Sequence, residues 1–205
     1  VADSAQERAV RVLENCFYRL HKGSQEPCAG VYLWGPVGGG KTWLMDAFHR
    51  GLQVPSRRQH FHHFMQWVHR RLFALAGTVD PLAMLAAELA GEARVLCFDE
   101  LFVSDIGDAM LLGRLFVALF AAGVVVVATS NQPPEQLYAE GFNRERFLPA
   151  IAAMQHHMQL VEVDGGQDHR LHPGPGHRRY WVADPLALQR VFTRLSDTLP
   201  VADGP

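Results

Sequence analysis

The sequence predicts an α/β fold organised as a doubly wound parallel sheet, and three observations predict it. The first is Gly35-Pro36-Val37-Gly38-Gly39-Gly40-Lys41-Thr42, a full match to G-x-x-x-x-G-K-[ST], set between the apolar run Val31 to Trp34 and a helix-like segment from Trp43 to His49. The second is Val95-Leu96-Cys97-Phe98-Asp99-Glu100, an apolar strand that ends in two carboxylates. The third is an alternation of strand-like and helix-like stretches over roughly five units, which selects parallel strands joined by right-handed crossovers.

Taken in order, Val10, Leu13, Phe17 and Leu20 recur at helical spacing, so Gln6 to Leu20 is expected as an amphipathic helix, broken by Gly23 to Pro27. After the first strand, the glycine loop and its helix, Pro55 to Arg58 reads as a polar connection into a short strand around Gln59 to Phe64. A helix follows with Phe64, Trp67, Val68, Leu72 and Leu75 on one face, ended by Gly77 to Asp80. Asp80 and Pro81 have the order of a cap and a first-turn proline, opening a short helix to Ala90. Arg94 to Phe98 is the next strand, and Ile106 to Ala121 the next helix, with Asp105 near its start and Gly123 past its end. Val124 to Ala128 is β-branched without polar alternation, the pattern of a strand buried on both faces. Pro133 and Pro134 open a short helix to Tyr138, Asn143 to Arg146 form a loop, a helix spans about Phe147 to His156, and Met158 to Val163 is the last core strand. Residues 1–164 are thus expected as the core and 165–205 as an extension packed on it: a Gly-, Pro- and His-rich loop, a strand at Arg179 to Val182 and a helix from Pro185 to Leu195.

Composition narrows the class. With 205 residues, 48% hydrophobic and 20% charged, the chain can bury one substantial core. A net charge of −2 supplies no global footprint for nucleic acid or anionic lipid. No apolar run approaches the roughly 18 residues of a membrane-spanning helix. Val1-Ala2-Asp3-Ser4 shows no secretory pattern, and the missing initiator Met leads us to expect a piece of a longer chain. Cys16, Cys28 and Cys97 carry no C-x-x-C spacing, so a reducing, cytoplasmic setting is expected. Among eleven histidines, His60, His62 and His63 sit close together; strand alternation would divide them between two faces, with no Cys or carboxylate nearby to complete a tetrahedral metal site.

The chemistry follows from residue types in those places. In a phosphate-binding loop the glycines let successive N–H groups point inward at a β-phosphate, the helix behind adds its positive end, and Lys41 faces the β- and γ-phosphates. Gly35 to Thr42 together with Trp43 are therefore the expected nucleotide-binding residues, with ATP and Mg²⁺ as ligands and Thr42 as a metal ligand. Asp99 and Glu100 reach the same sheet edge, where Asp99 can hold the Mg²⁺ hydration shell and Glu100 can take a proton from attacking water. Asn131, ending the next strand, can orient that water or touch the γ-phosphate. Arg144 and Arg146 lie in a loop on that side, and either guanidinium could stabilise a spreading phosphoryl charge.

The run Tyr32-Leu33-Trp34-Gly35 into Gly40-Lys41-Thr42-Trp43-Leu44-Met45-Asp46, then His60-Phe61-His62 with Phe64-Met65, Leu96 to Glu100, Val103-Ser104-Asp105-Ile106, Ala128 to Asn131 and Arg144 to Pro149, resembles the ZapE-type AAA+ ATPases, bacterial cell-division proteins with mitochondrial relatives. The resemblance runs from about Gly30 to Arg170 and implies a P-loop NTPase core that hydrolyses ATP, forms a homo-oligomeric ring, and acts on a protein such as the tubulin-like division-ring polymer, in the cytoplasm or at most peripherally on a membrane. It also implies Arg144 rather than Arg146 as the arginine finger, and a pore-facing connection at Phe64 and Met65 that grips substrate. The sequence departs from that pattern: less chain is expected before the first helix than is usual, Leu101 follows the Asp-Glu pair where an aromatic is more usual, Asn143 replaces a glutamine, and no full helical lid is expected. Arg170, Arg178 and Arg179 are left as weak candidates for a second sensor. Two other classes stay open at this point: a small-molecule P-loop kinase, and a DNA-loading ATPase, which the net charge of −2 disfavours.

Overall fold

The computed structural model describes residues 4–22, 28–164 and 190. The expected strand at 179–182, the arginines Arg170, Arg178 and Arg179 and, apart from residue 190, the C-terminal helix and the rest of the 165–205 extension lie outside the described residues.

Five strands, β1 (Gly30–Trp34), β2 (Ser56–His60), β3 (Val95–Asp99), β4 (Val125–Ser130) and β5 (Met158–Glu162), form one parallel sheet in the order β2-β3-β4-β1-β5. Among the described residues these helices connect or flank them: α1 (Ser4–His21), α2 (Lys41–Gly51), α3 (Phe61–Ala74), α4 (Pro81–Glu92), α5 (Ile106–Ala121) and α6 (Leu148–His157). Alternation along the strands divides the core in two. Val31, Leu33, Val95, Cys97, Val125 and Val127 face α1 and α2, whereas Tyr32, Leu96, Phe98, Val126 and Ala128 face α3 to α6. Both faces of β3 and β4 are covered, which is why their sequences run apolar without a break. The caps expected at Asp80 and Asp105 form: each carboxylate accepts an N–H three residues on, from Ala83 and Asp108.

The second strand lies further back than its sequence suggests. It is Ser56–His60, and Phe61 already begins α3. An edge strand buries little, so Ser-Arg-Arg-Gln-His shows no apolar alternation, and the aromatic at 61 belongs instead to the helical stripe Phe61, Phe64, Met65, Val68. His62 and His63 are therefore helical, and the strand alternation expected to separate them does not apply. The same shift corrects the expectation for Phe64 and Met65. They are 0% and 1% exposed, with the Phe64 ring tilted against Phe98 at 4.5 Å between centroids, so they fill the core and cannot grip a substrate from this position. Phe64→Ala and Met65→Ala should each cost about 2–5 kcal/mol of stability in a denaturant titration, through the cavity each leaves. The segment opened by Pro133 and Pro134 is a single 3₁₀ turn, Pro134–Gln136, and a second such turn spans Arg144–Arg146.

Candidate functional site

The glycine loop leaves β1 and ends in α2, with Gly40 as the residue before the helix, in the left-handed region at φ 84°. Gly35 is constrained twice: its φ is 142°, and a Cβ there would stand 2.6 Å from the carbonyl oxygen of Val163, just past β5. Lys41 is buried, and its ammonium donates to the carbonyls of Gly35 at 2.6 Å and Pro36 at 2.8 Å, so the loop closes around it. Burial draws the Lys41 pKa below the ordinary lysine range, and the Glu100 charge opposes that. From outside the motif, Gln6 on α1 donates to the Gly39 carbonyl at 3.2 Å and anchors the loop to the first helix.

The opposite wall comes from the carboxyl ends of β3 and β4, where an open parallel sheet places its ligands. Val37, Gly38, Gly40, Lys41, Thr42 and Trp43 on one side and Glu100, Thr129, Ser130 and Asn131 on the other enclose a cleft of about 310 Å³. Lys41, Thr42, Glu100 and Asn131 thus meet as the sequence suggests. Gly35, Pro36 and Gly39 serve behind the wall through their carbonyls. Asp99 is not part of the wall: it is buried and bonded to Arg58 on β2. Arg144 is not part of it either. Its guanidinium donates to the carbonyl of Glu135, and its Nε is buried without a partner among the described residues.

Glu100 stands on a backbone that few residues other than glycine adopt, at φ 56°, a conformation that costs on the order of 1–3 kcal/mol. β4 holds it there. The Glu100 N–H donates to the Thr129 hydroxyl at 3.0 Å, the Leu101 N–H donates to the Thr129 carbonyl at 2.7 Å, and the Ser130 hydroxyl donates to the Leu101 carbonyl at 2.8 Å. In the sequence Thr129 and Ser130 merely lie between the apolar strand Val124 to Ala128 and Asn131. The available signal was two small hydroxyl residues closing an otherwise apolar strand. Thr129→Val should lower turnover about tenfold with nucleotide affinity unchanged, from loss of one hydrogen bond of ~1 kcal/mol on a strained residue, and Thr129→Ser should restore it. Steady-state kcat and KM, with a thermal melt beside them, decide that.

Thr42, an exposed hydroxyl residue in the cleft, and Asp99, a carboxylate at the adjacent strand end whose oxygens are engaged by Arg58, are donors of the hard oxygen type that a divalent cation takes.

A glycine loop closed on a lysine, facing a glutamate and an asparagine across the ends of a parallel sheet, defines a P-loop NTPase. Its neighbours among solved structures agree. DnaI superposes with a TM-score of 0.59 at 18% identity, covering 82% of this chain and 86% of that one, and AMPPCP-bound DnaA from Aquifex aeolicus with 0.56 at 16%, covering 80% and 48%. At such identities the likeness is one of fold. The chain belongs to the AFG1-like ATPase family, whose model matches residues 1–201. It is 56% identical over 146 residues to the cell division protein ZapE of Escherichia coli K12, covering 71% of this chain and 39% of that protein. It is 42% identical over 186 residues to lactation elevated protein 1 homolog B of Danio rerio, covering 84% and 37%. The chain therefore spans well under half the length of these relatives.

Proposed function

We propose that this chain is the motor core of an ATP-hydrolysing AAA+ machine that assembles into a ring and remodels a protein polymer of the bacterial division apparatus. The observation that carries the hydrolytic reading is Glu100, whose side chain is 74% exposed while its backbone is fixed by Thr129, on the wall facing Lys41. A carboxylate held so, across from a phosphate-binding lysine, can take the proton of an attacking water. A kinase would instead receive a substrate hydroxyl at that place. Lys41 and the loop amides bind the phosphates, Thr42 and Asp99 would hold magnesium, and Asn131 orients the water. Magnesium held there would supply positive charge to offset that of the phosphates. Arg144, engaged with Glu135 and away from the cleft of its own chain, serves a neighbour's γ-phosphate.

The division-ring polymer enters through the likeness to ZapE, named as a cell division protein. A protein substrate also agrees with the net charge of −2. Among the described residues no helix is long and apolar enough to cross a membrane, which agrees with work in the cytoplasm or at a membrane surface. One preparation tests the reading: phosphate release from ATP and Mg²⁺ alone, the particle mass with ATP bound, and the change in release when the tubulin-like polymer is added. Release that requires a small-molecule acceptor would favour a kinase, and stimulation by DNA falling steeply with salt would favour a DNA-directed ATPase.

A further inference from the structure

The Arg58 side chain lies on β2, outside anything the glycine loop implies, yet it holds the carboxylate that ends β3. Its Nε donates to Asp99 Oδ2 at 2.8 Å and one terminal nitrogen reaches Asp99 Oδ1 at 3.3 Å. The other terminal nitrogen donates to Asp46 Oδ1 at 2.6 Å. Asp46 belongs to α2, the helix opened by the loop, and also takes Arg50 at 3.0 Å. One planar fork therefore links the phosphate-loop helix to the end of β3, a geometry a lysine cannot reproduce. The Asp99 side chain is only 7% exposed, with both oxygens engaged by the guanidinium.

We propose that Arg58 is a positioning residue that sets the affinity of the site for Mg²⁺ by competing with the ion for Asp99, with Asp46 as the anchor that keeps the guanidinium in reach. The proposal rests on the reading of Asp99 as a magnesium-holding carboxylate. A guanidinium bonded to both oxygens offsets the charge that attracts a divalent ion, and Asp99 must release one of those bonds to turn toward the cleft. When it does, Asp46 still balances Arg58, so the exchange never strands a sheltered cation without a partner. A merely structural ion pair would stabilise the fold and leave the magnesium dependence untouched.

The test is binding of a fluorescent ADP analogue to the full chain across a series of Mg²⁺ concentrations, for the wild type, Arg58→Gln, Arg58→Lys, Asp46→Asn and Asp99→Asn. Without Mg²⁺ all should bind the analogue alike, because the loop and Lys41 are intact. In Arg58→Gln the half-saturating Mg²⁺ concentration should fall about tenfold, since Asp99 is freed. In Asp46→Asn it should rise, because Asp99 is then the carboxylate left to the guanidinium in this pair. Arg58→Lys, which keeps the charge but loses the fork, should lie between wild type and Arg58→Gln. An unchanged half-saturation in Arg58→Gln, or a fall in Asp46→Asn, overturns the proposal. If Arg58→Gln does not fold, Arg58→Lys decides, and a value equal to wild type overturns it. A normal magnesium response in Asp99→Asn would instead remove the reading of Asp99 on which the proposal stands.

Discussion

Glu100→Gln should bind ATP as tightly as the wild type and release almost no phosphate. The amide keeps the size of the side chain, and the Thr129 and Ser130 bonds that hold this stretch involve backbone groups at 100 and 101, so the geometry of the wall is retained. What disappears is the base. General acid–base assistance is worth roughly 10²- to 10⁴-fold, so turnover should fall by that range while equilibrium nucleotide binding stays put. Lys41→Ala should fail in the opposite way: the ammonium that the loop closes around is lost, and nucleotide affinity goes with it. Paired measurements of ATP affinity and single-turnover hydrolysis separate the two. A Glu100→Gln protein that keeps most of its turnover would mean the base is another group.

Mixing two inactive proteins should produce an active one. An arginine finger contributes roughly 10³ to 10⁵ in turnover, so Arg144→Ala should bind ATP and barely hydrolyse it. Lys41→Ala has an intact Arg144 but no working cleft. Where subunits exchange, some interfaces pair an intact loop on one copy with an intact Arg144 on the next, and ATPase activity should reappear and rise with protein concentration. Arg144 is tied to the Glu135 carbonyl and stands outside the walls of its own cleft, so to act as a finger it would have to leave that carbonyl. If the oligomers demonstrably mix and activity stays at the sum of the parts, Arg144 acts in cis or only structurally, and Arg146 is the next residue to substitute.

Much of this was legible before any coordinates, and the reasons differ from residue to residue. The glycine loop is local: its eight positions carry their own turn chemistry, so no tertiary context is needed to read them. β3 and β4 were legible because burial on both faces leaves an uninterrupted apolar run. β2 was misplaced for the converse reason, since an edge strand made of Ser, Arg, Arg, Gln and His offers periodicity nothing to detect. Arg58 was missed with it. Its partners lie 41 and 12 positions away, and only the placement of β2 beside β3 brings a guanidinium to Asp99. Thr129 escaped because a hydroxyl bonding a backbone amide 29 positions away has no local signature. Phe64 and Met65 show the reverse hazard: a likeness between families drew a role onto two side chains whose helical spacing already said core.

The Val163 carbonyl that lies against Gly35 and Gly39 has a consequence for how the domain comes together. That carbonyl follows β5, the last strand among the described residues, and β5 docks beside β1, the first of them. The loop is complete as a sequence by residue 42, but its floor is laid only when a contact more than a hundred positions long has closed. Loop-closing contacts of that span are the slow ones in folding. Full nucleotide affinity should therefore appear late in folding, once β5 has docked beside β1. Binding should then stabilise the finished core with the logarithm of nucleotide concentration, so ATP should favour molecules in which β5 is in place.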